Sequence, residues 1–480
     1  MRLNVVLRYV GMVLLFVAAF MLASAIIALY NGRDSSFHPL VLSTLLTALL
    51  GAFPLLFVGK TEQITTKEGY CIVVGAWLVS CVVGMFPYLI WGGEFNLINA
   101  WFESVSGFTA TGASILNDIE GLPRGIQFWR ISSSWIGGIG VVMFALVILP
   151  SMGRNKLTLS SVELSALAKD NYRYRTQIIV RILLVVYVGL TLLTTLALHL
   201  AGMNWFDALM HGMSASATCG FSTKNTSIAY FNSPLIETIM ICTMIIAGIH
   251  FGLIFATVTG KRNLLRSEVT RIYLTIIAVV TLVIGVSLRV EDVYPSLVTS
   301  LRHSLFQTVA LITTSGFATA DSSVWTPLAI VLLMFCSFMC ACAGSTSGGL
   351  KVDRVVLAFK VIRNKIKQQQ HPAAMMRVRV DGVIQESGTL EAVLTFTVIY
   401  IVLIFLGTLF SALCGVDLMT SFSSSLASMG NVGPAFGDVG SMSNFSRLPV
   451  AVKLSNTLLM LFGRLEIFGL IQLFFIKWWR

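Results

Sequence analysis

The chain is 480 residues long, 56% hydrophobic and only 11% charged, with a formal net charge of +11. Soluble domains carry roughly 25% charged residues, so a water-soluble globule is excluded. The apolar residues come in blocks rather than alternating with polar ones, which also excludes a membrane β-barrel and leaves an all-α polytopic membrane protein.

In chain order, the blocks 12–29, 40–58, 178–200, 274–288 and 390–413 are each long enough, or nearly so, to cross a bilayer core at about 20 residues per helix. Arg2 and Arg8 before the first block imitate a signal peptide. That block is too long for a signal h-region and no small-residue cleavage site precedes Asn31, so it is read as a retained span. Eight cysteines lie scattered through apolar segments and form no CxxC pair. They are read as small hydrophobes inside helices, not as a metal or redox framework.

The positive charge is unevenly placed. Arg154, Lys156, Lys169, Arg173 and Arg175 fill one connection, and Lys261, Arg262, Arg266 and Arg271 a second. Lys351, Arg354, Lys360, Arg363, Lys365, Lys367, Arg377 and Arg379 fill a third. The intervening connections carry acids such as Glu94, Asp118, Glu120, Asp207, Asp321, Asp417 and Asp438. This is the positive-inside asymmetry. It places both termini and the basic loops in the cytoplasm, argues against nucleic acid as the partner, and leaves an electronegative outer mouth that concentrates cations.

Four outer connections share one plan: a span, a short amphipathic stretch, a small-polar loop with a glycine, then another span. The loops carry Ala110-Thr111-Gly112, Thr218-Cys219-Gly220, Thr314-Ser315-Gly316 and Asn431-Val432-Gly433. Aligning the glycines brings Asn99 with Asp207, Ser106 with Ser214, Ala310 and Ala427, and places Asn117, Asn225, Asp321 and Asp438 each five residues later. At about ten to twelve residues the stretches before the glycines are too short to cross a membrane, so they read as re-entrant half-helices, which are tolerated only in a protein-lined cavity. Glycine's access to positive φ aims successive carbonyls one way. Rings of such carbonyls replace an ion's hydration shell, and helix C-termini favour a cation. Dehydrated monovalent cation permeation is the chemistry implied. Ordinary outer turns, or a pore for water or a small solute, are the alternatives.

With Trp135-Ile136-Gly137-Gly138-Ile139-Gly140, the run from Cys342 to Lys351, Gly430-Asn431-Val432-Gly433-Pro434 and Phe462-Gly463-Arg464-Leu465-Glu466-Ile467-Phe468, the chain resembles the Trk/Ktr/HKT superfamily of potassium transporters, and within it the TrkH-type membrane subunit. The resemblance covers nearly the whole chain. It implies four pseudo-repeats of helix, re-entrant pore helix and helix around a central pore, plus two N-terminal spans. The expected divisions are 1–68 for those spans, then 69–152, 153–262, 263–368 and 369–480 for the repeats. Glycine in all four loops implies preference for potassium. Ala110, Cys219 and Ala435 depart from residues usual in the family, but backbone carbonyls do not depend on them.

The run Gly344, Ser345, Thr346, Ser347, Gly348, Gly349 breaks an apolar segment that begins near Leu328 and resumes at Val352. A nucleotide P-loop is excluded because Leu350 stands where the lysine is required and no strand precedes. The resemblance makes this run an intramembrane gate, against a structural helix kink. Lys351 either faces the pore vestibule or snorkels to the cytoplasm. Arg464, with Glu466 nearby, lies in an apolar span, where a charge usually meets a cavity or a partner; it either modulates cation passage or clamps the fourth loop. His211 and His250 are read as packing or hydrogen-bonding residues.

The expected function is potassium uptake across the bacterial inner membrane through a gated, channel-like path, with a coupled secondary carrier moving K⁺ with H⁺ or Na⁺ as the alternative. No enzymatic chemistry and no bound cofactor are expected. The resemblance adds a homodimer and a cytoplasmic TrkA-type nucleotide-binding regulator as partners, while the basic loop 360–367 is equally suited to anionic lipid.

Overall fold

The computed structural model describes residues 2–59, 65–140, 176–260, 263–371, 377–467 and 469–471. The basic stretch 154–175, Lys261, Arg262 and Phe468 lie outside the described residues. All five apolar blocks form long helices: α1 (Leu3–Tyr30), α2 (Phe37–Phe57), α7 (Thr176–Leu200), α11 (Glu268–Val290) and α15 (Ser387–Leu413). A sixth span, not singled out above, is α3 (Thr66–Gly84) continuing as the short α4 (Phe86–Trp91). It opens on a capping box in which Thr65 and Glu68 satisfy each other's orphan backbone donors.

These spans expose large apolar side chains, for example Leu45, Leu49 and Phe53 on α2 and Leu282 and Val283 on α11. Hydrocarbon, not water, is the solvent such faces require. Helix α2 lies along α1, and Gly11 and Gly51 meet where a Cβ on either would overlap the other's carbonyl oxygen. Small residues of this kind let backbones approach closely where lipid supplies no hydrophobic drive for helix association.

The remainder is four three-helix units, each a long helix, a short buried helix and a second helix. The short helices are α5 (Leu97–Phe108), α8 (Trp205–Ser216), α12 (Leu297–Ile312) and α16 (Leu418–Gly430). The second helices are α6 (Arg124–Ile139), α9 (Pro234–Ala247), α13 (Pro327–Met339) and α17 (Val450–Arg464). Each second helix starts at a proline, Pro123 and Pro449 as N-caps and Pro234 and Pro327 as the first helical residue, where a missing N–H and a fixed φ are assets. Each stops after 13 to 16 residues, short of a full crossing. Beyond the stops, α9 bends by 104° into α10 (Phe251–Val258). Helix α13 resumes, after the excursion 340–351, as α14 (Val352–Gln370). A hairpin of β1 (Arg379–Val380) and β2 (Val383–Ile384) then leads to α15.

Three expectations need correction. The third short helix is one turn longer than the others, at 16 residues against 12, 12 and 13, so the ten-to-twelve-residue expectation fails there and its cap lies a further turn before the position that aligns with Asn99. The break in the third unit begins at Cys340, not Gly344. Cys340, Cys342 and Cys414, read as lying inside helices, lie in loops or turns, as does Cys219 of the second glycine loop.

Candidate cation pathway

The four short helices begin alike. Asn96, Asn204, Ser296 and Asp417 each accept a hydrogen bond from the backbone N–H three residues on, at Asn99 (2.9 Å), Asp207 (2.8 Å), Thr299 (3.2 Å) and Thr420 (3.0 Å). They are N-caps. The alignment had drawn attention to Asn99 and Asp207, one helical turn too late.

They also end alike. The N–H of Thr111 reaches back five residues to Ser106 O (2.9 Å), Cys219 to Ser214 O (3.1 Å), Ser315 to Ala310 O (2.9 Å) and Val432 to Ala427 O (2.9 Å). This is the wide closing bond of a helix terminus with a left-handed residue after it. That residue is Ala110 (φ +52°), Thr218 (+53°), Thr314 (+60°) or Asn431 (+53°). None is glycine, and left-handed non-glycine residues each cost of order 1–3 kcal/mol unless the surroundings hold them. Two residues later Gly112 (φ +83°), Gly220 (+87°), Gly316 (+66°) and Gly433 (+93°) are left-handed again. In a strand, successive residues point to opposite sides. Alternating the sign of φ undoes that alternation and turns successive carbonyls the same way.

The four segments close into a ring. A Cβ on Gly112 would collide with Cys219 O, on Gly220 with Ser315 O, on Gly316 with Val432 O, and on Gly433 with Thr111 O. Each glycine therefore lies against the middle carbonyl of the next unit, and the fourth lies against the first. Side chains secure the strained residues. Thr109 and Thr111 hydroxyls pair at 2.7 Å and Thr313 donates to Ser315 Oγ at 2.9 Å, while Asn431 Nδ2 donates to Thr111 Oγ1 (3.0 Å) and Met460 O (2.9 Å). The helix C-termini lead directly into the ring and aim their partial negative charge at it. The atoms that line the approach between units are backbone oxygens, those of Cys219, Ser315, Val432 and Thr111.

Outside the ring, the connections interlock. Asn225 accepts from Ile119 N (2.6 Å) and donates to Asp118 Oδ1 (3.1 Å); Ser441 lies 3.5 Å from Asp321 Oδ1; Asn444 and Ser446 donate to Asn117 Oδ1 at 3.1 Å. The bond at Asp438 comes from its backbone N–H, to Thr420 Oγ1 (3.0 Å). The Asn225 amide holds the Asp118 carboxyl below the usual carboxylate range, and Thr420 does the same for Asp417.

Inside the ring lies the excursion 340–351. It touches the ends of the second, third and fourth units. Thr346 Oγ1 donates to Ser216 O (3.0 Å), Gly348 N donates to Thr314 Oγ1 (3.3 Å), and a Cβ on Gly348 would overlap the Asn431 side chain. The loop folds on itself through Ser345 Oγ, which donates to Cys342 O (2.6 Å) and Ser347 Oγ (3.2 Å). Gly344 O accepts from Phe251 N (3.1 Å), and a Cβ on Gly349 would strike Cys340 Sγ. Arg464 completes the contact with the first unit. Its guanidinium donates to Thr346 O (2.7 Å), Gly137 O (2.6 Å) and Gly138 O (2.9 Å), which is a carbonyl clamp across the molecule. Its neighbour Glu466 bonds elsewhere, to Lys351 Nζ (3.3 Å) and Arg354 Nη2 (2.7 Å).

Lys351 and Arg354, counted above in the third basic connection, are buried partners of one carboxylate; unpaired at that depth they would be too costly. Lys360 likewise pairs with Glu268 (2.6 Å). His211 is buried, with Nδ1 on Asp207 O and Nε2 on Ser222 Oγ, and His250 Nδ1 accepts from Gly252 N at the bend after α9, as read from the sequence. Glu103 and Arg130, not singled out in the sequence, form a buried ion pair behind the ring. Its signal was present: two charges inside otherwise apolar or small-residue stretches.

A family model for TrkH, described as a cation transport protein, matches residues 40–478. The chain belongs to the TrkH family of cation transport proteins. It is 34% identical over 491 aligned residues to the Trk system potassium uptake protein TrkH of Salmonella typhimurium, and 33% identical over 487 to that of Escherichia coli K12, in each case covering all of both chains. The E. coli protein TrkG is 34% identical over 87% of this chain and 86% of its own length. The crystal structure of the potassium transporter TrkH from Vibrio parahaemolyticus superposes over the whole of both chains with a TM-score of 0.88 at 31% identity. A TrkH family member is a transporter rather than an enzyme, and this one is a multi-pass, all-α membrane protein.

Proposed function

We propose that this chain takes up K⁺ across the bacterial inner membrane, with both termini in the cytoplasm, through a gated, channel-like path. The ion sheds its water in the ring of Ala110, Thr111, Gly112, Thr218, Cys219, Gly220, Thr314, Ser315, Gly316, Asn431, Val432 and Gly433, whose backbone oxygens stand in for that water. K⁺ is the cargo, and no resident cofactor is required. The observation that carries this reading is the cyclic closure of four left-handed glycines, each on the next unit's carbonyl. The relatives named as potassium uptake proteins support K⁺ as the ion. The proposed divisions are 1–68, 69–152, 153–262, 263–368 and 369–480, although 68/69 falls within α3 and 368/369 within α14.

The loop Gly344, Ser345, Thr346, Ser347, Gly348, Gly349, with Lys351 at its end, is the gate. It lies under the ring and is held by Arg464 against Gly137 and Gly138. Opening requires those bonds to move. A cytoplasmic TrkA-type nucleotide-binding partner acting through α14, and a homodimeric assembly, complete the proposal; the relatives' designation as parts of a Trk system supports a multi-component machine.

The test is Gly112→Ser in proteoliposomes, with K⁺ and Na⁺ flux measured under imposed voltage and pH gradients. A side chain there meets Cys219 O, so the K⁺/Na⁺ flux ratio should fall by about tenfold, as expected when a carbonyl ring is displaced. An unchanged ratio overturns the ring as the filter. Flux that follows the pH gradient rather than the K⁺ gradient overturns the channel-like path.

A further inference from the structure

Behind the ring, each short helix ties down the chain just past its glycine. Gln307 Nε2 donates to Ala320 O (2.8 Å), His211 Nε2 meets Ser222 Oγ (2.9 Å), and Ser423 donates to Phe436 O (2.9 Å) and accepts from its N–H (3.0 Å). In the first unit the tie is Glu103, which accepts from Ser114 Oγ (3.0 Å) and Ile115 N (3.1 Å). Glu103, His211 and Gln307 each stand nine residues before their glycine.

Glu103 differs from the others in being a fully buried carboxylate paired with Arg130 of α6, itself 2% exposed. Arg130 also reaches across to the second unit, where Nη1 donates to Ser222 O (3.2 Å) and the guanidinium lies 3.6 Å over the Phe221 ring. Phe221 and Ser222 directly follow Gly220. One ion pair therefore grips the exits of two adjacent ring segments at once. Stability alone does not explain it, because well-packed apolar residues serve a core as well as or better than a buried ion pair. What an ion pair with a forked, planar donor supplies is fixed geometry.

We propose that Glu103 and Arg130 are positioning residues that set the spacing between the first and second segments of the ring, and with it the preference of the ring for K⁺ over the smaller Na⁺. This rests on the filter reading above. The geometry that matters is the carboxylate's reach and the fork's two simultaneous bonds. Glu103→Asp withdraws the carboxylate by one methylene while keeping the charge. Arg130→Lys keeps the charge but replaces the fork with a single ammonium that does not hold Glu103 and Ser222 O together.

The experiment reads K⁺ and Na⁺ flux in proteoliposomes for both variants, with thermal stability in detergent alongside. Each variant should lower the K⁺/Na⁺ flux ratio by about tenfold, the scale of one charge-assisted hydrogen bond, whatever its melting temperature. A folded variant whose ratio stays within twofold of the parent, with or without a lower melting temperature, marks the pair as structural and overturns the proposal. If the single variants do not fold, the double variant Glu103→Leu with Arg130→Met removes both charges at similar volume. It should fold and stay poorly selective, and a folded, selective double variant overturns the proposal. Gly112→Ser run in parallel separates the two readings. Unchanged selectivity in Gly112→Ser removes the filter itself, whereas lost selectivity there with parent-like pair variants removes only the positioning role.

Discussion

The short helices of the four units and the segments beyond their second helices obey different rules. At the short helices the units repeat one another, with the same cap, the same closing bond and the same left-handed residue two before a left-handed glycine. Beyond second helices of similar length they diverge. One bends at residues 248–250, one makes the twelve-residue excursion 340–351, and one turns at 465–467 through the left-handed Glu466 and Ile467. Each glycine of the ring abuts the next unit's carbonyl and the fourth closes on the first, so closure requires four like members. A single loop lying under that ring can come from only one unit, so the symmetry must break there.

The largest expected effect comes from breaking the symmetric half. Gly316→Ala puts a methyl group into Val432 O and the Pro434 ring at a φ an alanine rarely adopts. K⁺ flux in proteoliposomes should fall by about a hundredfold, and Na⁺ flux should fall less, if overpacking displaces one member of the ring. Alanine at Gly202, which is left-handed with nothing within 4 Å of a Cβ, carries strain without the collision and should spare the flux ratio.

A smaller effect sharpens the asymmetric half. Arg464→Ala removes three charge-assisted bonds to carbonyls of the loop and of α6, and should lower stability by about 3 kcal/mol. It should also raise K⁺ flux several-fold, because the loop loses its tether to the first unit. A destabilised protein with unchanged or reduced flux assigns Arg464 to packing alone. The flux assay and the melting temperature together decide it.

The smallest effect tests the interlocked outer connections. The Asn225 amide depresses the Asp118 carboxyl below its ordinary value of 3.8. A group with a depressed folded value stabilises above the unfolded value and loses that contribution as pH falls through the folded one. The difference in melting temperature between the parent and Asp118→Asn should therefore be present at neutral pH and disappear in acid, once the pH falls below the ordinary carboxylate range. A difference that persists in acid shows that the carboxylate charge is not what Asn225 recognises.

Much of this was legible in the residues themselves. Apolar block length located five of the long helices, because a bilayer sets the length of its own spanning elements. The repeated glycine loops located the ring because left-handed backbone and close approach both call for glycine, and four chemically similar stretches at equivalent places leave a periodic trace. The prolines that open the second helices, Pro123, Pro234, Pro327 and Pro449, were a second, less regular trace, since their distances from the aligned glycines vary. The helix ends were harder to read. Residues such as Ala110 and Thr218 give no sign in their own identity that they will sit at positive φ, since that conformation comes with the closing bond of the helix before them and glycine or asparagine is the usual signal for it.

Composition, span length and the fourfold glycine pattern were thus determined by the chain alone, as each depends on solvent preference or on backbone freedom within a few residues. Which charge meets which was decided only by the tertiary structure. Arg464 was read beside Glu466, two positions along, yet it clamps carbonyls 118 and 327 residues away, while Glu466 joins Lys351 and Arg354. Glu103 finds Arg130 across a helix pair. A buried charge takes whatever counter-charge or dipole the packing brings within hydrogen-bond reach, and that reach is a distance in space with no image in sequence separation.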